Sequence, residues 1–334
     1  MTIKLSLLDQ SIIYEGETAT STLAKTVAYA QKAEALGYDT FFVAEHHFIK
    51  ELASPAPEIL IGYLLASTEK IKIGAAGVML QHYVPFKVGE AFSVLHHLAL
   101  GRVVLGVGKA QGGKDEAIAV LQRDFVQPVA SFEEKFTELQ HFLRHDFPAD
   151  SPYAAAEYAL APAIEDELPV DLLGGSQESA ALATSEQTGL IYPYFGNADE
   201  EALLKTRQAY QADQEFKIAV IVYVTDDPAE GQAYLAEQAS YTVVFANGKR
   251  TNFNQKQAAA EYVEQHHKEG ATLIERQVGA FVGTAAEVKA QLEDFAERFA
   301  TQHFVLHTLG VPYEKKFAII EALADEFKGD ESDD

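Results

Sequence analysis

Apolar, strand-like runs alternate with helix-like stretches eight times along this chain, and that alternation restricts the folds open to it. The strand-like runs fall at residues 3–8, 39–44, 71–74, 102–108, 169–173, 189–192, 216–224 and 303–308. Helical signals follow each one. Residues 19–36 read as a helix stopped by Gly37, which tolerates the left-handed backbone of a helix end. Ser54-Pro55 reads as the N-cap and first residue of a helix over 55–68. Further helices are expected near 86–99, over 132–145 behind the capping box Ser131-Phe-Glu-Glu134, from Ser176 onward, and near 198–212. Two more are expected at 228–245 and 255–268. A second capping box, Thr284-Ala-Ala-Glu287, opens a helix that puts Val288, Leu292, Phe295 and Phe299 on one face. A helix over 313–327 closes the chain.

Strand followed by helix, eight times over, predicts a parallel (β/α)8 TIM barrel, with an open doubly wound sheet as the alternative. The 334 residues exceed the ~250 typical of such a barrel. The irregular 109–168 region and the extra helices before the last strand absorb the excess. No repeat or linker divides the chain, so residues 1–334 are read as one domain. The acidic stretch over about 328–334 is read as a disordered, solvated tail.

Fifty acidic against 26 basic side chains give a formal charge of −24. Such a surface repels nucleic acid and anionic membranes and disfavours both as partners. The absence of cysteine excludes disulfides, thiolate catalysis and Cys-ligated metal clusters. The N-terminal run Ile3-Lys4-Leu5-Ser6-Leu7-Leu8 has no signal-peptide pattern, and no run of about 18 uncharged apolar residues occurs. A cytoplasmic location is the default expectation.

Chemistry is expected where apolar strands end in polar residues, because buried polar groups cost folding energy unless they are paired or used. The second strand runs Phe41-Phe42-Val43-Ala44 straight into Glu45-His46-His47. An imidazole near neutral pKa can serve as a general base and a carboxylate can orient it. An extended chain sends Glu45 and His47 one way and His46 the other. A purely structural role at the rim is the competing reading. A metal site is disfavoured because no further dense His/Asp/Glu cluster stands beside the pair.

Three other strand ends carry signals. Gly108-Lys109-Ala-Gln-Gly112-Gly113-Lys114 approaches a phosphate loop but continues with Asp115, where a magnesium-binding hydroxyl belongs. The simpler reading is that Lys109 presents a cation to an anion. Gly174-Gly175-Ser176-Gln177-Glu178-Ser179 ends a strand and opens a helix, so its free amides suit a phosphate; an ordinary serine cap is the alternative. Gly74-Ala75-Ala76-Gly77 leaves room for a flat ligand or for close helix–strand packing. His82 can line the same mouth or cap a loop. His96 and His97 read as packing or surface residues.

These motifs, in this order, resemble the bacterial luciferase-like flavin monooxygenase family. The resemblance spans nearly the whole chain and is densest over residues 34–113. It includes Ala33-Glu34-Ala35-Leu36-Gly37-Tyr38-Asp39, Ala53-Ser-Pro-Ala-Pro-Glu58, Ala66-Ser-Thr-Glu-Lys-Ile71, Gly101-Arg102 and Phe281-Val282-Gly283-Thr284. It is nearer to the single-component-type branch than to a light-emitting subunit, whose reactive cysteine is missing. The resemblance implies a (β/α)8 barrel that takes reduced FMN from a separate NAD(P)H-dependent reductase. It further implies oxidation of a small organic substrate with O2 through a flavin C4a-peroxide, and a homodimer. The family's catalytic histidine falls on His46, with Glu45 tuning it. The turn beside the isoalloxazine, which often holds a non-proline cis peptide, falls on Ala75 and Ala76. The phosphate cation falls on Lys109, where arginine is usual, and the phosphate turn on Gly174, Gly175, Ser176, Gln177 and Ser179. A non-catalytic flavin-binding protein and a deazaflavin-dependent dehydrogenase are the alternatives within the same fold. A metal-dependent barrel hydrolase is the alternative outside the family.

Overall fold

The computed structural model describes residues 3–110, 115–126, 129–156, 159–238, 240–246, 250–253, 256–276 and 278–328. Eight strands form the barrel: β1 (Lys4–Asp9), β2 (Thr40–Val43), β3 (Lys72–Ala75), β4 (Val103–Gly108), β5 (Val170–Leu173), β6 (Gly189–Pro193), β7 (Phe216–Val224) and β8 (His303–His307). Each pairs in parallel with the next, and β8 pairs with β1, so the sheet closes on itself. The open-sheet alternative is thereby set aside. Gln111 to Lys114 of the loop after β4, and residues 329–334 of the acidic tail, lie outside the described residues.

Alternation along each strand sorts the side chains into two layers. Leu8, Phe42, Ala44, Ala76, Val104, Ile191, Ala219 and Val305 fill the inside of the ring. Their neighbours, such as Leu7, Phe41, Val43, Leu105 and Phe304, pack outward into the core shared with the helices. The strands are buried on both faces, so they read in the sequence as unbroken apolar runs. The lower end of the ring is polar and largely paired. His303 bonds Ser6 Oγ at 2.7 Å and Glu215 at 2.8 Å, and Lys217 Nζ donates to Asp171 at 2.6 Å. This is the end of a barrel that serves stability rather than chemistry.

The upper end is irregular between β3 and β4. Gly74 pairs with Val104, and the short strand Val78–Met79 resumes pairing at Val107. Four steps along one chain thus face three along the other. The extra residue is a bulge at Ala75-Ala76-Gly77, and the peptide joining Ala76 to Gly77 is cis. Opposite it stands Gly106, where a Cβ would lie 1.9 Å from the Ala75 carbonyl oxygen. Only glycine permits that approach.

Two sequence expectations need correction, and one strand is added. The helix expected from Pro55 starts at Pro57, after Ala56 with φ −129° and ψ 83° and no side-chain cap. A residue before proline is pushed out of the helical region, so Ala56 holds the start back. The helix expected over 228–245 stops at Glu237. Ser240–Val244 is instead the middle strand of an antiparallel sheet with Arg250–Phe253 and Thr272–Arg276, backed by the helix Lys256–Gln265. Tyr241, Val243 and Phe245 are buried at strand spacing, which is the signal that a helical reading overlooked. Finally, Ala280–Gly283 adds a strand outside the ring, against β7.

Candidate active site

The C-terminal rim of the barrel holds the residues singled out for chemistry. Past Val43 the alternation continues, and it separates the Glu45-His46-His47 triplet. Glu45 is completely buried on the outer side. Its carboxylate accepts from His47 Nε2 at 2.7 Å, from Tyr83 Oη at 2.7 Å and from the Met79 amide at 3.0 Å. His46 is not among its hydrogen-bond partners. The same loop is tied from below by the buried Lys135, whose ammonium donates to the Gln81 and Tyr83 carbonyls at 2.9 Å each. Glu45 and Lys135 therefore fix the segment 79–83 from two sides. Burial, together with the charge of Glu45, pushes the Tyr83 hydroxyl well above the usual phenol range, so it stays a donor to that carboxylate.

His46 follows the inward-facing Phe42 and Ala44 and is half-buried. Burial lowers its pKa below that of a free imidazole, and the neighbouring His47 lowers it further. It is thus neutral at pH 7, with a ring nitrogen able to accept a proton. His82, in the turn Leu80–His82, is buried; its Nδ1 lies 3.2 Å from Gln122 Nε2 and its ring meets that of His47 edge-on at 5.8 Å. His96 is buried against Asp166 at 3.2 Å, and His97 Nδ1 lies 2.8 Å from the Ser93 carbonyl oxygen. Neither belongs to the rim. Among the described residues no three His, Asp or Glu side chains converge as a metal site.

The two anion-binding motifs come together on neighbouring strands. β4 ends at Gly108 and β5 at Leu173, and these residues pair with each other. Lys109 follows the first and Gly174-Gly175-Ser176 the second. Ser176 caps the helix Gln177–Ser185, its Oγ accepting from the Ser179 amide at 3.2 Å. Gly174 packs so tightly on this turn that a Cβ would fall 2.3 Å from Ser179 Cβ. Lys109 is exposed and paired with Glu133 at 2.8 Å, and its charge reaches Glu178 in the first turn of that helix. An exposed pair of this kind contributes only about 0–1 kcal/mol, so exchanging Glu133 for a phosphate costs little. The same turn, through Gly175, Ser176 and Gln177, borders a hollow of about 320 Å³ that Glu178, Asp199 and Glu201 also line, with Lys205 held by Glu201. Those carboxylates oppose an anion in the hollow, and Lys109 is not part of its lining. The residues present thus fit a flat cofactor with an anionic tail. Small residues Ala44, Ala76 and Gly108 stand around the mouth, with a cation and a helix N-terminus at one edge.

Comparison with known proteins gives the family. The luciferase-like monooxygenase family matches residues 4–302. The chain belongs to that family. It is 41% identical over 312 residues to an N-acetyl-S-alkylcysteine monooxygenase of Bacillus subtilis (strain 168), covering 92% of each chain. Among solved structures, apo-MsnO8 superposes with a TM-score of 0.73 at 24% identity, covering 98% of both chains. The oxygenating constituent of 3,6-diketocamphane monooxygenase from Pseudomonas putida, in complex with FMN, gives a TM-score of 0.66 at 16% identity, again over 98% of both. The last two likenesses are of fold. Membership in the luciferase-like monooxygenases makes this chain an oxidoreductase, and among its described residues no helix is long and apolar enough to cross a membrane. Rim residues that the sequence reading did not single out are Tyr83, Phe195 and His307. The recurrence His303-Phe-Val305-Leu-His307, two imidazoles on one strand face, was the available signal for the last.

Proposed function

We propose that this luciferase-like monooxygenase uses reduced FMN and O2 to place one oxygen atom in a small organic substrate, the other leaving as water. Reduced flavin, when bound, supplies the two electrons that this division of O2 requires. The observation that carries the reading is the split of the Glu45-His46-His47 triplet. A neutral imidazole faces the apolar mouth, and its two neighbours are bonded to each other behind it. In this reading Lys109, the amides at Ser176 and Gln177 and the hydroxyl of Ser179, with Gly174 and Gly175 giving close access, hold the phosphate. Ala75 and Ala76 form the bulge against which the flat ring lies. His46 takes or returns a proton at a ring nitrogen, while Glu45 fixes the loop around it. The apolar interior of Leu8, Phe42, Val104 and Val305 keeps water from the reacting atoms. We further propose that a separate NAD(P)H-dependent reductase delivers the reduced flavin.

The Bacillus subtilis relative makes S-alkyl N-acylcysteines, which are thioethers, the first substrate class to test. The purified protein is supplied with a flavin reductase, NADH, FMN, ¹⁸O2 and an N-acetyl-S-alkylcysteine. One ¹⁸O atom in the product supports the reading, and NADH-coupled oxygen uptake without labelled product for any thioether contradicts the substrate class. His46→Ala should keep its fold and lose about 10²-fold or more in turnover, the usual worth of a general acid–base group. Unchanged turnover removes His46 from the role.

A homodimer belongs to the same proposal. Ile59 and Tyr63 on the helix Pro57–Ser67, and Val94 and Leu98 on Pro85–Leu98, are exposed at helical spacing, with Leu100 beyond. The two helices touch, a Cβ on Gly62 lying 3.4 Å from Leu95. Their outward faces thus present large apolar side chains to solvent side by side, the kind of patch that a second copy covers.

A further inference from the structure

Among the described residues, five buried side-chain polar atoms lack a hydrogen-bond partner: Tyr14 Oη, His96 Nδ1, Gln140 Nε2, Asp171 Oδ2 and His307 Nδ1. His96 and Gln140 lie on helices outside the ring, and Asp171 has its other oxygen on Lys217 at the lower end. Tyr14 lies in the loop after β1. His307 differs from all of them. It is the last residue of β8, in register with Leu8 of β1 and Ile221 of β7. It stands two residues beyond Val305, which is part of the inner layer, so it points into the ring just below the mouth. Its ring meets Phe195 edge-on at 5.6 Å, and it stands close enough to His46 to feel that imidazole when protonated.

The same strand supplies the control. His303 faces inward four residues earlier and has both ring nitrogens engaged, on Ser6 and Glu215. A histidine kept for structure at this barrel's lower end is fully satisfied. His307, only 3% exposed, is not. Burial, with Lys316 next, holds its pKa down at about 3 against the opposing charge of Asp9, so the ring is neutral. An unpaired nitrogen at this depth weakens the fold, and such groups call for a reason.

We propose that His307 is a ligand-binding residue whose Nδ1 hydrogen-bonds an uncharged polar group of the molecule that fills the barrel mouth. An amide, a carbonyl or a ring N–H fits a neutral imidazole in an apolar wall; a carboxylate there would lack a counter-charge. The inference rests on the reading of the mouth as the chamber for flavin and substrate. Both carry such groups, the flavin on its ring edge and an N-acylcysteine in its amide, and the test separates them.

Three proteins are compared: wild type, His307→Leu, which replaces the imidazole by an apolar side chain of similar size, and His307→Asn, whose amide can reoccupy the Nδ1 position. Thermal stability without ligand, FMN affinity by fluorescence, and KM and kcat with an N-acetyl-S-alkylcysteine are measured. His307→Leu should be at least as stable as wild type, because an orphaned group has been removed. It should also lose about tenfold in binding, with Asn restoring much of the loss. A loss in FMN affinity assigns the contact to the flavin ring. Unchanged FMN affinity with a raised KM and a steady kcat assigns it to the substrate. Unaltered FMN affinity and KM in His307→Leu overturn the proposal, as does a loss of stability with a binding defect that Asn does not repair. Wild-type protein that binds no FMN overturns the underlying reading instead, and this inference with it.

Discussion

Removing the Glu45 carboxylate should damage the fold before it damages the chemistry. Glu45 is completely buried and accepts from three donors, the Met79 amide, Tyr83 Oη and His47 Nε2. In Glu45→Ala the side chain of His47 can turn to solvent, because it is partly exposed. The Met79 amide and the Tyr83 hydroxyl stay buried without partners. At about 1–3 kcal/mol for each orphaned group the two cost about 2–6 kcal/mol, to which the space left behind adds. That is a large share of the ~5–15 kcal/mol that holds an ordinary domain together. Glu45→Gln is the informative partner. Its oxygen can keep the Met79 amide while its NH2 turns toward Tyr83 and His47. The hydroxyl can rotate and the imidazole can change tautomer, so both can then accept. Only charge assistance is lost, about 1–2 kcal/mol. Urea unfolding of the three proteins measures both differences. A Glu45→Ala protein within about 1 kcal/mol of wild type, yet inactive, would refute the scaffold role and place Glu45 in the chemistry.

Three further outcomes follow from the same geometry. Lys109→Ala should weaken FMN binding about tenfold and leave riboflavin, which has no phosphate, unaffected; equal losses would move the phosphate elsewhere. His307 refuses in the folded protein a proton that the unfolded chain accepts below about pH 6.5, the folded value being about 3. Its contribution to stability is therefore complete above pH ~6.5 and falls with pH, by about 2 kcal/mol at pH 5. The unfolding free energy of His307→Leu should accordingly fall less steeply between pH 6.5 and 4, and parallel profiles would contradict this. Leu98→Glu puts a charge into the exposed apolar face, so sedimentation should show monomer where wild type shows dimer. An unchanged mass would put the interface elsewhere.

The barrel was legible because its strands are buried on both faces. Phe41-Phe42-Val43 and Val103 to Gly108 leave no polar alternation to confuse with a helix, and glycine and capping residues mark the joints. The small sheet between β7 and β8 was not legible in the same way. Tyr241, Val243 and Phe245 alternate, but helix-forming residues over 228–237 run straight up to them and carried the helical reading too far. At the rim, extended-chain geometry separated His46 from Glu45 and His47. What Glu45 holds was hidden, since Met79 and Tyr83 lie 34 and 38 residues away. The pairing of Lys109 with Glu133 was hidden for the same reason. Nothing local distinguishes His303 from His307. The difference lies across the barrel, where one meets Ser6 and Glu215 and the other meets Phe195.

The most direct measurement is anaerobic titration of the purified protein with reduced FMN, followed by admission of air and spectroscopy of the bound flavin. The account predicts saturable binding that Lys109→Ala weakens, and reoxidation whose course changes in His46→Ala. A folded protein with no measurable affinity for FMN, reduced or oxidised, would contradict the placement of a flavin at this rim.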